Sequence, residues 1–120
     1  MDLQELSQRC TRRQSFLLGN DGQFLGKLTF NKYDAESIMN QYGSYGSKYS
    51  ATSIFNNYSN YGSKYSSLSP FNAYTSTPPV IYLKGDKWGY LTMNKYAGTP
   101  SLSPDSLLQW MKKQGIGQYD

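Results

Sequence analysis

The sequence predicts an α+β fold: short helices at both ends, two related β-hairpins between them, and a central ordered repeat. Three observations carry this expectation. Capping and turn residues bracket apolar runs near both ends of the chain; one octapeptide pattern occurs twice; and a Ser/Asn/Tyr-rich unit recurs every sixteen residues.

A chain of 120 residues is the length of one ordinary domain. Its parts are taken as an N-terminal helix (1–14), a first hairpin (16–33), a Tyr/Ser/Gly repeat (34–77), a second hairpin (80–96) and a C-terminal helix (103–115). At the start, Leu3, Leu6 and Cys10 fall at helical spacing, so the first helix is expected to pack through that stripe, with Cys10 as a small buried apolar residue. At the end, Ser103 suits an N-cap, Pro104 the first helical position, Asp105 the helix dipole and Gly115 the stop. Leu107, Leu108 and Met111 form the apolar face of this second helix, with Trp110 near its edge.

The octapeptide reads Gly-x-Leu-Thr-x-Asn-Lys-Tyr at Gly26 to Tyr33 and again at Gly89 to Tyr96. Each copy follows an apolar stretch and a turn, Asn20-Asp21-Gly22 in the first case and Lys84-Gly85-Asp86 in the second. Residues that tolerate positive φ between apolar runs signal hairpins. The similarity of the two hairpins points to packing about a pseudo-two-fold axis.

Between them, Ser37-Ile38-Met39-Asn40-Gln41-Tyr42 recurs as Ser53-Ile54-Phe55-Asn56-Asn57-Tyr58 and, in altered form, as Ser69-Pro70-Phe71-Asn72-Ala73-Tyr74. The first two copies continue as Tyr-Gly-Ser-Lys-Tyr-Ser, whereas the third runs into Pro78-Pro79, as terminal repeats often do. Ser69-Pro70 resembles an N-cap and first helical position, so each unit is expected to open with a short helical turn followed by an ordered loop. Low-complexity disorder is the competing expectation for such a composition. The fixed period, with apolar residues at fixed places within it, argues for order.

Composition narrows function by exclusion. Hydrophobic residues make up 38% of the chain and much of that is tyrosine, which predicts a small or polar core. Absence of histidine removes the commonest general base and metal ligand, and a single cysteine rules out an internal disulfide. The carboxylates Asp21, Asp34, Glu36 and Asp86 are accounted for by turns and caps, and Cys10 has no evident base. Asn20-Asp21-Gly22 lacks the ligand pattern of a calcium loop, and the glycines around Ser47-Lys48 lack phosphate-loop spacing. No enzyme activity, cofactor or metal is therefore expected. Asp2, Glu5 and Arg9 with no apolar run behind them predict neither a secretory leader nor membrane insertion, hence a cytoplasmic location.

The candidate binding residues are the repeat's tyrosines Tyr42, Tyr45, Tyr49, Tyr58, Tyr61 and Tyr65, with Lys48 and Lys64 between them. An aromatic, weakly basic surface suits a protein partner, which tyrosine anchors well. The alternatives are single-stranded nucleic acid, whose bases stack on aromatic rings, and a glycan lying on those rings. Self-association through stacked repeats is a further possibility. Against all of these stands a reading in which the rings pack inward as a polar core.

The Leu25 to Tyr33 segment, with the Ser-Ile-x-Asn-x-Tyr and Tyr-Gly-Ser-Lys-Tyr-Ser repeats that follow it, resembles a group of small bacterial proteins in which cyanobacterial chains are prominent. The resemblance spans residues 16–96 and implies a bacterial origin without an activity. The absence of catalytic residues beside a patterned tyrosine-rich surface leads to an expected non-enzymatic protein-interaction module or accessory subunit of a bacterial assembly.

Overall fold

The structure, a computed structural model, describes residues 1–118. In chain order it contains helix α1 (Leu3–Thr11), strands β1 (Phe16–Leu18), β2 (Phe24–Lys27), β3 (Val80–Leu83), β4 (Asp86–Leu91) and β5 (Ser101–Leu102), then a 3₁₀ turn (Pro104–Ser106) leading into helix α2 (Leu107–Gln114). The fold is α+β, with short helices at both ends of a five-stranded mixed sheet.

The sheet order is β2-β1-β3-β4-β5, antiparallel except for the parallel β4–β5 pair. Each hairpin places its first strand at the centre, where Leu17 pairs with Ile81. Exchanging the two hairpins leaves the order of these four strands unchanged, the arrangement a pseudo-two-fold axis produces. Both turns form where the sequence placed them. Gly22 has φ +89° and donates to Gly19 O at 2.9 Å. Lys84 (φ 50°) and Gly85 (φ 88°) make a two-residue connection with both central residues at positive φ, whose twist suits a hairpin.

The strands are shorter than the octapeptide suggests. β2 stops at Lys27 and β4 at Leu91, and the rest of each copy turns away from the sheet. In both copies the leucine (Leu28, Leu91) is buried and the threonine Oγ1 accepts from the asparagine N–H (Thr29 to Asn31, 3.1 Å; Thr92 to Asn94, 3.0 Å). The asparagine Oδ1 then accepts from the tyrosine N–H, at 3.0 Å in both. The octapeptide is thus a strand exit, in which Leu anchors the chain while Thr and Asn start side-chain-braced turns.

From Asn31 to Thr75 the chain is a ladder of hydrogen-bonded turns. A corner residue (Asp34, Ser37, Asn40, Gly43, Ser47, Ser50, Ser53 and so on) donates its N–H to the carbonyl of the previous corner and accepts from the next one. Each sixteen-residue unit comprises four three-residue steps and one four-residue step, the latter from Gly43 to Ser47 and from Ser59 to Ser63. The corner side chain also accepts from the N–H two residues on: Ser37 from Met39, Asn40 from Tyr42, Ser53 from Phe55, Asn56 from Tyr58. The helical turns expected to open each unit are replaced by these turns because corner hydroxyls and amides compete with helical backbone bonding. Pro70 sits just after the corner Ser69, a turn position that its fixed φ favours.

The ladder also packs. Ile38, Ile54 and Pro70, one per unit, are fully buried, as are the corner serines Ser37, Ser53 and Ser69 that precede them. Ile38 and Ile54 join Leu17, Leu25 and Ile81 from the sheet and Leu107, Trp110 and Met111 from α2 in one core. The ladder begins on the outer edge of β2, where Lys27 N–H donates to Glu36 O (2.7 Å) and Ile38 N–H to Lys27 O (3.1 Å), so that edge is covered. At its far end Asn94 Nδ2 donates to Thr75 O at 2.8 Å, joining the second strand exit to the last corner.

The helices behave differently from one another. α2 ends where expected, with Gly115 at φ 69° as its left-handed cap, although a 3₁₀ turn precedes it and Ser103 makes no side-chain cap bond. α1 forms with Asp2 as its N-cap, but it does not dock through the Leu3 stripe. Leu3 is 83% exposed, Cys10 is only half-buried, and the buried residue is Arg9. The strands explain this: Leu17 and Ile81 face the main core, so Phe16, Phe24 and Tyr82 occupy the opposite face of the sheet. Phe16 stacks on Tyr82 at 4.7 Å, and the Arg9 guanidinium lies over Phe24. That aromatic floor accepts an arginine's flat head and apolar stem in place of a leucine stripe.

Candidate interaction surface

The corner pattern determines where the tyrosines go. Where the corner is Asp, Ser, Asn or Thr, the N–H two residues on is tied to the corner side chain, and the exposure of that residue differs with the corner's place in the unit. After Asn40, Asn56 and Asn72 come Tyr42, Tyr58 and Tyr74, which are 98%, 97% and 94% exposed. After Ser47 and Ser63 come Tyr49 and Tyr65, also exposed, with Lys48 and Lys64 ammonium groups each 5.3 Å from the centroid of the following ring. These six of the eight groups picked from sequence or their repeat equivalents lie on the outward side: Tyr42, Tyr49, Tyr58, Tyr65, Lys48 and Lys64.

Tyr45 and Tyr61 do not belong with them. They follow the corners Gly43 and Ser59, and both reach residues of the first hairpin. Tyr45 meets Phe24 edge-on at 4.9 Å, and Tyr61 packs against the core while its hydroxyl donates to Asp21 Oδ2 at 2.6 Å. Burial, together with hydrogen bonding to the Asp21 carboxylate, pushes the Tyr61 phenol up to about 12. Burial also raises Tyr45, helped by the negative charge of Glu36. For these two rings the inward reading holds.

Three tyrosines were missed. Tyr33 and Tyr96, from the two strand exits, and Tyr74, from the third unit, are all exposed. The signal was present: Asn-x-Tyr occurs at 31–33, 40–42, 56–58, 72–74 and 94–96, and the asparagine Oδ1 accepts from the tyrosine N–H in every case. Lys32 adds an ammonium group 5.6 Å from the Tyr33 ring.

The exposed rings frame shallow notches. One of about 490 Å³ has Tyr42, Tyr49 and Lys48 at its sides, Ile38 and Phe55 beneath, and Leu108 of α2 at its border. A second, of about 560 Å³, is framed by Tyr58, Tyr65, Lys64 and Phe71. Each of those four residues is the sixteen-residue equivalent of one in the first notch. Two further notches lie at the ends, one of about 600 Å³ between Tyr33 and Tyr42 and one of about 390 Å³ between Tyr74 and Tyr96.

Three of the four carboxylates weighed as possible catalysts are occupied structurally, and Asp86 is exposed at the start of β4. Asp34 accepts from Lys27 Nζ at 2.6 Å and from Glu36 N–H at 2.9 Å, and those bonds hold its carboxyl below the usual range. Glu36 pairs with Arg9, and Asp21 braces its own turn by accepting from Gln23 N–H at 3.1 Å. Among the described residues no group of three or more His, Cys, Asp or Glu is placed to hold a metal, and no helix is long and apolar enough to cross a membrane. Comparison with family models, with curated proteins and with solved structures finds no significant match.

Proposed function

We propose that this chain is a non-enzymatic interaction module, an accessory component of a bacterial assembly, and that the outward face of its turn ladder docks a protein partner. The observation that carries this reading is the near-complete exposure of Tyr42, Tyr58 and Tyr74, each held by an asparagine brace at the same place in successive units. Large rings with two side-chain torsions lose little entropy on binding and serve well as interface anchors. Leaving them in water has no benefit for folding, since they contribute almost nothing to the core.

A tagged wild-type protein and a Tyr42→Ser/Tyr58→Ser variant test the reading by capture from bacterial lysate, with and without nuclease, at low and high salt. The expected outcome is a stoichiometric protein retained by wild type and lost by the variant, with superimposable circular dichroism and urea transitions. Equal capture by both proteins overturns the reading, and so does recovery of nothing but nuclease-sensitive material, which assigns the face to nucleic acid.

A further inference from the structure

Two features of the outward face go beyond its being aromatic. One is its charge: from Ser37 to Gly85 the chain contains no Asp or Glu, while Lys48 and Lys64 stand beside the notches and Lys32 and Lys95 beside the terminal tyrosines. The acidic residues at the start of the ladder, Asp34 and Glu36, are already paired with Lys27 and Arg9. The other is its repetition. The notch framed by Tyr42, Lys48, Tyr49 and Phe55 is reproduced one unit later by Tyr58, Lys64, Tyr65 and Phe71.

We infer that the occupant of this face is an extended acidic polypeptide segment that places apolar side chains in the two equivalent notches and carboxylates against Lys48 and Lys64. This inference rests on the interaction-module reading and names the chemistry of its partner. An apolar floor of Ile38 and Phe55 between tyrosine walls suits an aliphatic or aromatic side chain. The lysines at the rim favour carboxylates and repel basic competitors. At Tyr49 and Tyr65 an ammonium group already lies 5.3 Å from the ring centroid, so a stacked nucleobase would compete with it there.

Two equivalent sites on one rigid ladder predict avidity: once one anchor is seated, the second binds as an intramolecular event governed by linker length. The probes are fluorescein-labelled synthetic peptides bearing one Leu-Asp-Asp anchor, or two joined by Gly-Ser linkers of graded length, with Leu-Lys-Lys and Asp-only versions and an oligo-dT as comparisons. Fluorescence anisotropy with the full chain is expected to give at least about tenfold tighter binding for the two-anchor peptide at one linker length, a floor set below the roughly hundredfold or greater gains of well-matched linked sites. Phe71→Ala is expected to abolish that gain while leaving one-anchor binding intact, with exposed Tyr65→Ala as the substitute if Phe71→Ala unfolds. Lys48→Gln/Lys64→Gln should weaken the Asp-containing peptides several-fold and flatten their salt dependence.

Absence of a gain at every linker length, equal binding of the Leu-Lys-Lys version, or preferential binding of oligo-dT overturns the inference. If the peptides fail while Tyr42→Ser/Tyr58→Ser still abolishes protein capture, the acidic-segment inference falls and the interaction module stands. If both experiments fail, both readings fall.

Discussion

Arg9 of α1 reaches Glu36 at the start of the turn ladder, with Nη2 2.7 Å from Oε2, while its guanidinium lies 3.8 Å from the centroid of the Phe24 ring. One side chain thereby joins the N-terminal helix, the edge strand and the repeat. Glu5 and Gln14 accept further bonds from it, at 3.3 and 2.8 Å. Among the described residues Arg9 Nε finds no acceptor, so part of the desolvation of the guanidinium is uncompensated.

Removing this clasp should loosen α1. Arg9→Ala loses the ion pair, the ring contact and the packing of the stem, whereas Glu36, with its side chain 41% exposed, remains solvated. The expected cost is about 2 kcal/mol, below that of breaking a fully buried pair. Arg9→Met keeps the stem over Phe24 and should recover about half of it. Urea denaturation of both variants and of Glu36→Gln measures the difference, and an Arg9→Ala midpoint equal to wild type would show that the clasp contributes nothing.

Arg9 also illustrates why part of the fold was illegible in the sequence. Helix periodicity treats an arginine as solvent-facing and Leu3 as core-facing, yet the floor beneath α1 is assembled from Phe16, Phe24 and Tyr82, which are distant in sequence. Features set by local chemistry were readable: the Gly115 stop, the Asn20-Asp21-Gly22 turn and the Lys84-Gly85 turn each follow from a backbone requirement. The ladder was half-readable. Its sixteen-residue period was plain, but its inner three-residue pitch is masked by one longer step per unit, which shifts the count at Gly46 and Gly62. The same hidden pitch explains the site. Tyr42 and Tyr45 are alike as residues, and only the phase of the corner before each sends one outward and the other toward Phe24.

The glycine of each longer step, Gly46 or Gly62, should tolerate no side chain. A Cβ on Gly62 would collide with the carbonyl oxygens of Asn56 and Ile54, and one on Gly46 with the backbone of Asn40. Backbone atoms locked in successive turns cannot retreat as a flexible side chain would. Gly62→Ala is therefore expected to cost about 3 kcal/mol, the upper range for overpacking. Gly43→Ala, whose new Cβ would meet Ala35 O and the Asn40 side chain at 3.2 Å, should cost roughly 1 kcal/mol by the same principle. Thermal unfolding of the two variants checks the order, and reversal of that order would contradict the described step geometry.

The asparagine corners make a second bond, as Ser59 also does by donating Oγ to Ser53 O at 2.9 Å. Asn40, Asn56 and Asn72 each donate Nδ2 to the carbonyl two corners back, on Asp34, Ser50 and Ser66, at 3.2, 2.9 and 3.1 Å. Asn56→Asp keeps the acceptor for Tyr58 N–H but points a carboxylate at Ser50 O. Because Asn56 is buried, the loss is expected to be about 2 kcal/mol near neutral pH, smaller once acid restores a donor. Urea midpoints of the variant and wild type, compared at pH 7 and pH 4, check it: the gap should narrow at pH 4, and an unchanged gap would mean that the Nδ2 bond is not what holds the corner.

Tyr61 gives the ladder a dependence on alkaline pH. Its phenol stands at about 12 in the folded chain, against an ordinary value of 10.0, because burial and the bond to Asp21 both disfavour the phenolate. A folded value above the unfolded one means that the folded chain holds its proton longer. The stabilisation is complete below about pH 10, and is lost as pH rises from there through the folded value. Tyr61→Phe removes the titrating group along with the Asp21 bond, so it should be less stable than wild type at pH 8, with the gap closing as pH approaches 12. Wild-type phenolate absorbance should show a component appearing only near pH 12 that Tyr61→Phe lacks. Parallel stability curves for the two proteins from pH 8 to 12, with no such component in wild type, would detach Tyr61 from Asp21 and return its ring to the outward face.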